Sequence, residues 1–256
     1  MQKHDLDIVI VSFKTPELVK LAIQSFRKFK TDDFNLRFIV IENSNFKLID
    51  DLKKHIENND VVINNPVNLS FSYAHGSGLE AAKDYLSPSA KYVFTCHSDT
   101  CVVSSSFFNE LRKCIEEGIW LAGVCEDAHD ERVRALHCSG LLAKSDLYKK
   151  VSLMPELPKI DTADLLTVHC REANLKMKLF RNTYNDTNLV DLCNSPYKEL
   201  GKVCGVDRCL DENNNVMFMH QGRGTSKYSN SYHNPQKIMT STWIQICKKV
   251  IEDGSL

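Results

Sequence analysis

Two short aliphatic runs, Asp7-Ile8-Val9-Ile10-Val11-Ser12 and Arg37-Phe38-Ile39-Val40-Ile41-Glu42-Asn43, constrain this chain more than anything else in it. Each is a continuous apolar stretch without polar alternation, the pattern of a strand buried on both faces. Between them Thr15-Pro16-Glu17 reads as a helix start: a hydroxyl N-cap, proline at the first helical position and an acid in the first turn. Leu18, Leu21, Ala22, Phe26 and Phe29 follow at helical spacing. Strand, helix and second buried strand predict a βαβ unit on a parallel sheet, whose right-handed crossovers bring ligands to the carboxyl ends of the strands.

The alternation continues with a polar helix over 47–58, a third strand at Asp60-Val61-Val62-Ile63 and a loop over 64–72. A helix carrying Ala74, Gly78, Leu79, Ala81 and Ala82 leads to a fourth strand at 92–95. Ser12, Glu42-Asn43 and His97-Ser98-Asp99 all fall at strand ends, so three polar clusters share one expected edge. After Asp99 the rhythm changes. Helices are expected over 106–117 (stopped by Gly118), 145–151, 161–174 and 235–251, and strands over 120–124, 136–143 and 216–219, with a polar, irregular segment over 181–215. No repeat and no linker interrupts the chain, which predicts one two-lobed α/β domain over 1–256.

Composition narrows the function classes. Hydrophobic residues make up 43% and charged residues 25%, with a formal net charge of −1, so no broad basic field points to nucleic acid. No apolar run approaches the roughly 18–20 residues that cross a bilayer. Met1-Gln2-Lys3-His4-Asp5 leads straight into a strand pattern and fits no signal peptide, so a cytoplasmic setting is expected. The ten cysteines are scattered and read as reduced, buried thiols. Cys193, Cys204, Cys209 and His220 could in principle hold zinc, but their spacing contains no compact pair of ligands.

Two strand ends carry metal-ligand chemistry. Tyr92-Val93-Phe94-Thr95-Cys96-His97-Ser98-Asp99 ends in a carboxylate, and Val216-Met217-Phe218-Met219 runs into His220-Gln221-Gly222-Arg223-Gly224-Thr225. A carboxylate and an imidazole can hold a divalent cation against a diphosphate, with Mn2+ better matched than Ca2+ and Mg2+ also acceptable. Gly222 and Gly224 would allow backbone to approach phosphate closely, and Arg223 and Lys227 could neutralise it. The alternative for each is ordinary: Asp99 as a turn acid, Ser98 as a turn serine, His220 as a half-buried core histidine, Arg223 as a solvated cation. His75, His129, His137 and His169 have no comparable context, and His129-Asp130-Glu131-Arg132 reads as a mobile, solvated loop.

With these residues in place the chain resembles the family-2-like glycosyltransferases of GT-A fold. Val9-Ile10-Val11-Ser12-Phe13 resembles their opening strand, whose end contacts the nucleotide base. Ile39-Val40-Ile41-Glu42-Asn43-Ser44 is similar to their second strand, whose terminal acid accepts from the base. Asn68-Leu69-Ser70-Phe71-Ser72-Tyr73-Ala74, with Gly78-Leu79 and Ala81-Ala82, is similar to their asparagine- and glycine-bearing loop and helix. His97-Ser98-Asp99 sits where they carry Asp-x-Asp, with His97 replacing the first acid, so the metal rests on Asp99. Cys138-Ser139-Gly140 through Lys144 looks like their glycine-bearing strand beside the donor and acceptor pockets. Asp161-Thr162-Ala163-Asp164-Leu165 resembles the acidic motif that supplies the base. Thr162 replaces one member of its usual acidic pair, and a shifted alignment would choose Asp164 over Asp161.

The resemblance covers roughly 5–228. It implies a Rossmann-like GT-A domain: a mostly parallel central sheet flanked by helices, with an acceptor-side subdomain. About 1–100 would bind the nucleotide sugar and about 101–256 the acceptor. It further implies sugar transfer, hexosyl or pentosyl, from a nucleotide-diphosphate sugar to an acceptor hydroxyl on a glycan, glycolipid or similar molecule. Transfer would proceed by direct displacement with inversion. Asp161 would be the base, Asp99 and His220 would hold Mn2+ or Mg2+, and Ser12, Phe13, Glu42, Asn68, Ser72, Ser98, Asp99, Gly140 and Arg223 would line the donor site. Peripheral membrane association and oligomeric state stay open. Two other readings stand beside it. A sugar nucleotidyltransferase would normally show a glycine- and basic-rich first loop, which Ser12-Phe13-Lys14-Thr15-Pro16 lacks. A catalytically inactive, glycosyltransferase-like binding module would fit the missing acid at His97.

Overall fold

The structure is a computed structural model that describes residues 3–125, 131–183, 186, 188–193, 206–222 and 240–253. In chain order the elements are β1 (His4–Ser12), α1 (Pro16–Phe29), β2 (Phe34–Glu42), α2 (Leu48–Leu52), β3 (Val61–Asn64), α3 (Phe71–Ala82), β4 (Tyr92–His97) and β5 (Thr100–Val102). They continue with α4 (Ser106–Glu116), β6 (Leu121–Cys125), β7 (Leu136–Lys144), α5 (Ser145–Lys150), α6 (Asp164–Glu172) and β8 (Met177–Asn182). The last are α7 (Leu189–Leu192), β9 (Asp207–Leu210), β10 (Val216–His220) and α8 (Thr240–Asp253). Packing divides the chain into two compact units that do not follow sequence order. One holds Met1–Lys14, Asp32–His97 and Leu111–Leu179; the other holds Thr15–Thr31, Ser98–Glu110 and Phe180–Leu256.

In the first unit the strands run β3-β2-β1-β4-β7-β6. β1 lies parallel to β2 and β4, and β2 parallel to β3, as the continuous apolar runs require. From β4 outward the pairing turns antiparallel, through β7 to β6. Ser12 is level with Glu42, and Glu42 with Asn64, so three strands end together. One core joins Val9, Ile39, Ile41, Val93 and Leu141 of the sheet to Leu79 and Ala82 of α3, Leu147 and Tyr148 of α5, and Leu166 and Cys170 of α6. Each large apolar side chain buried this way contributes about 1.5–3 kcal/mol. Gly78 lets α3 lie on the sheet: a Cβ there would come within 2.8 Å of Val11 Cγ1 and 3.2 Å of Asn43 Nδ2.

In the second unit β10 pairs antiparallel with β5 and with β9, and β9 pairs with the end of β8 through Arg181–Leu210. Its core brings Leu18 and Leu21 of α1 against Trp243, Cys247 and Val250 of α8 and Val216 and Met219 of β10.

Three expectations need correction. The helix over 47–58 is only Leu48–Leu52. Asp60 accepts from the N–H groups of Glu57 and Phe38 at 2.7 and 2.9 Å, an alternative the backbone takes in place of further helix. Thr15 makes no side-chain cap on α1; its hydroxyl donates to Ser98 Oγ at 3.1 Å. The irregular segment holds the end of β8, all of α7 and β9. Its strand pattern is hidden by Arg208, which is fully buried in β9, where Arg208 N–H donates to Thr183 Oγ1 at 3.1 Å. No described helix is long and apolar enough to cross a membrane. Cys96, Cys101, Cys114, Cys138, Cys170, Cys193, Cys209 and Cys247 are free and buried. Burial raises the Cys170 thiol to about 11 and the Cys209 and Cys247 thiols well above their ordinary value. Cys204 lies outside the described residues, and the candidate metal groups among those residues include neither Cys193 nor Cys209.

Candidate functional site

In the first unit the ends of β1 and β2 meet at Glu42, which is 0% exposed. Its Oε1 accepts from the N–H groups of Lys14 (3.0 Å) and Ser44 (3.1 Å) and from Ser44 Oγ (2.6 Å), while Oε2 accepts from Ser12 Oγ (2.8 Å). Four neutral donors thus hold the carboxylate and the loop around it. Lys14 adopts φ 58°, a left-handed turn that costs a non-glycine residue energy and is held by this N–H bond. The turn leaves Phe13 48% exposed, with the Lys14 ammonium 5.6 Å from its ring centroid. An exposed aromatic face beside fixed backbone is a platform on which a planar base can stack. Behind it Asn43 donates to Ala74 O at 2.6 Å and accepts from Asn65 at 3.0 Å, tying the strand ends to α3.

A second carboxylate group stands before α6. Arg132 clamps Asp164 through Nε–Oδ2 and Nη2–Oδ1 contacts of 3.0 Å each, and Asp164 is 0% exposed. The same guanidinium reaches Asp161 Oδ2 at 3.2 Å through Nη1. Asp164 Oδ2 also accepts the Asp161 N–H at 2.8 Å, and Ala163 between them turns through φ 64°. Asp161 keeps 24% of its side chain exposed. Burial would raise its pKa, but hydrogen bonds from the Thr162 N–H and the Ser72 hydroxyl, with the charges of Arg132 and His137, outweigh it. Asp161 therefore lies below the ordinary carboxylate value. Ser72, in the first turn of α3, is thus brought to Asp161, and Thr162 Oγ1 donates to Ser72 O at 2.8 Å.

The remaining predicted residues of this unit are separate. Asn68 is exposed in the loop before α3. Gly140 is buried in β7, level with Cys96, with its carbonyl where a Cβ on Gly123 would meet it at 2.7 Å. Arg132 corrects an expectation: it is not a solvated loop residue but the partner of two acids, with 10% of its side chain exposed. No spacing rule could have shown that, because the acids it joins lie about thirty residues away in the chain.

In the second unit Asp99 and His220 meet. His220 Nε2 lies 3.2 Å from Asp99 Oδ1, and Gln221 N–H donates to Asp99 O at 3.2 Å. The antiparallel pairing of Thr100 with His220 sets this contact. Ser98 is buried beside it and takes the Thr15 hydroxyl. Gly222 turns through φ 70°. A carboxylate oxygen and an imidazole nitrogen at this separation match adjacent positions around a six-coordinate ion with bonds of about 2.1 Å, and the mixed donor set suits Mn2+ or Mg2+. Arg223 and Lys227 lie outside the described residues.

No protein-family model and no curated protein matches the chain. Solved structures do. A mannosyltransferase from Pyrobaculum calidifontis, in complex with GDP-Man and Mn2+, matches at 9% identity and a TM-score of 0.50, over 70% of this chain and 55% of that one. Glucosyl-3-phosphoglycerate synthase from Mycobacterium tuberculosis, in complex with phosphoglyceric acid, matches at 13% identity and 0.48 over 69% of each chain. A 4-diphosphocytidyl-2C-methyl-D-erythritol synthase from Anaerococcus prevotii matches at 12% identity and 0.47, over 69% of this chain and 86% of that one. The chain therefore spans about half the length of the mannosyltransferase it matches, and what the likeness shows is a GT-A-like fold.

Proposed function

We propose that this protein is a metal-dependent glycosyltransferase, moving a hexosyl or pentosyl group from a nucleotide-diphosphate sugar to an acceptor hydroxyl with inversion. The observation that carries the reading is the Asp99–His220 pair, an acid and an imidazole 3.2 Å apart at two strand ends. It is supported by a fold shared with a mannosyltransferase solved with GDP-Man and Mn2+. Asp99 and His220 would hold Mn2+, or Mg2+, which when bound stabilises charge on the diphosphate. Phe13 would stack on the base, and Glu42 would fix Ser12 and the Lys14 backbone that frame it. Asn68, Ser72, Ser98, Gly140 and Arg223 complete the proposed donor contacts. Residues of about 1–100 would serve mainly the nucleotide sugar and those of about 101–256 the acceptor, in one domain and in the cytoplasm.

Asp161 would take the proton of the acceptor hydroxyl as that oxygen attacks the sugar C1 opposite the leaving nucleotide diphosphate. Its partial exposure favours it over Asp164, whose carboxylate is fully buried and bound by Nε and Nη2 of Arg132.

Thermal stabilisation by nucleoside diphosphates with and without Mn2+ tests the reading. A ligand at a hundredfold excess over its Kd adds about 2.7 kcal/mol. That gain should require Mn2+ and shrink in Asp99→Asn and in His220→Ala. Undiminished metal-dependent binding in both variants removes the pair from the site. The absence of donor hydrolysis both with and without Mn2+ favours the inactive binding module. Release of pyrophosphate from a nucleoside triphosphate and a sugar phosphate gives the nucleotidyltransferase.

A further inference from the structure

Four side chains of metal-ligating type converge in the first unit. His75 lies on α3, His97 ends β4, and His137 and Cys138 lie in β7. One nitrogen each of His75 and His97 and the Cys138 sulfur lie within 4.8 Å of one another. Cys138 Sγ is 3.8 Å from His97 Nε2. The His75 and His97 rings are 4.8 Å apart, and the His137 ring stands edge-on to His97 at 5.5 Å.

We propose that His75, His97 and Cys138 form a thiophilic metal site that takes Zn2+, with a fourth position open to solvent or ligand. A tetrahedral ion bound at about 2.0–2.3 Å needs neighbouring ligand atoms about 3.4–3.8 Å apart. The sulfur–imidazole separation already meets that, and the remaining ligand atoms lie within 4.8 Å of one another. A thiolate with two imidazoles is a borderline-soft donor set that selects Zn2+ over Mn2+ and Mg2+. This is the opposite preference to a carboxylate-bearing pair. The ligands also sit on rigid elements, which a metal site needs. Cys138 is buried in β7, and Thr95 Oγ1 donates to its carbonyl at 3.0 Å. Gly76, next to His75, is packed so closely that a Cβ would meet Leu153 O and Pro155 Cδ at 3.0 Å, which fixes that turn of α3. Ser139 Oγ lies 2.8 Å from His137 Nδ1 and holds that ring at the rim of the cluster.

Metal binding at the site can be read without a substrate. The full chain, stripped of metal by a chelator, is titrated with Co2+ as the probe, and thiolate-to-Co2+ charge-transfer absorption is followed. One equivalent should produce the band, and Zn2+ should displace it. Cys138→Ser should abolish the band. His75→Ala and His97→Ala should each weaken Co2+ binding by more than about tenfold, the loss that removing even an outer-shell partner brings. Cys170→Ser should keep the band, since only a thiolate at this cluster produces it. No charge-transfer band on the native chain overturns the proposal whether or not any variant folds. A band that survives in Cys138→Ser overturns it equally.

Discussion

Glu42 and Asp164 are both fully buried carboxylates in the same unit, held by opposite means. Glu42 is held by hydroxyls and backbone N–H groups of Ser12, Lys14 and Ser44. Asp164 is held by a guanidinium in a two-pronged contact. Neutral donors distribute the cost of a buried anion over the loop that supplies them, so Glu42 organises backbone. A guanidinium concentrates the compensation in one group with a spare arm, and Arg132 spends that arm on Asp161. One cluster shapes a surface; the other steadies a partly exposed acid against a buried one.

The sharpest break in that contrast is Arg132→Ala. It should destabilise the protein by about 3–5 kcal/mol, because Asp164 is left buried without its counter-ion. Urea unfolding measures it, and Arg132→Lys should recover only part, since a lysine cannot fork. A loss under about 1 kcal/mol would put Arg132 among ordinary surface ion pairs. Asp164→Asn comes next, at about 1.5–3 kcal/mol for a charged hydrogen-bond partner removed. Glu42→Gln should cost less, about 1–2 kcal/mol, because an amide oxygen still accepts from part of the ring of donors. The two clusters would exchange meaning if Glu42→Gln proved worse than Asp164→Asn in the same denaturation series.

The Glu42 cluster was far more legible in the sequence than the Arg132 cluster. Ser12 and Glu42 terminate two aliphatic runs whose parallel pairing follows from their lack of alternation, so their meeting could be anticipated. The role could not: a strand-end acid reads the same whether it faces a ligand or takes donors from Ser12, Lys14 and Ser44. Arg132 sits in a charged stretch that looks solvated, and only tertiary packing bends it onto Asp161 and Asp164. The same holds for His75 and Cys138, whose convergence depends on how α3 lies against the sheet. The short strand β5 and the arginine-bearing β9 gave no apolar run long enough to see. The meeting of Asp99 and His220 could be anticipated because each lies at the end of an apolar run.

Asp161→Asn should have the smallest effect on stability and the most specific one on chemistry. The native carboxylate lies below its ordinary value of 3.8, because hydrogen bonds and neighbouring positive charge outweigh burial. The folded chain therefore binds that proton less readily than the unfolded one. The stabilisation is complete above the ordinary value and is lost as pH falls from there through the lower folded value. With 24% of the side chain exposed, screening keeps it below about 1 kcal/mol. The stability gap between native and Asp161→Asn proteins should thus be open at pH 7 and close under acid, as paired urea titrations would show. A gap that widens under acid would mean the acid is raised, not lowered. For the reaction the same shift means Asp161 stays ionised throughout the neutral range, so transfer should not decline through its protonation between pH 7 and 5. Removing a positioned base typically costs about 10²–10⁴ in rate. Asp161→Asn should lose turnover on that scale while donor-induced stabilisation in Mn2+ survives, since the residue touches the acceptor hydroxyl. Asp164→Asn should lower stability first and activity only with it. Near-native transfer by Asp161→Asn would end both the base assignment and the inverting mechanism built on it.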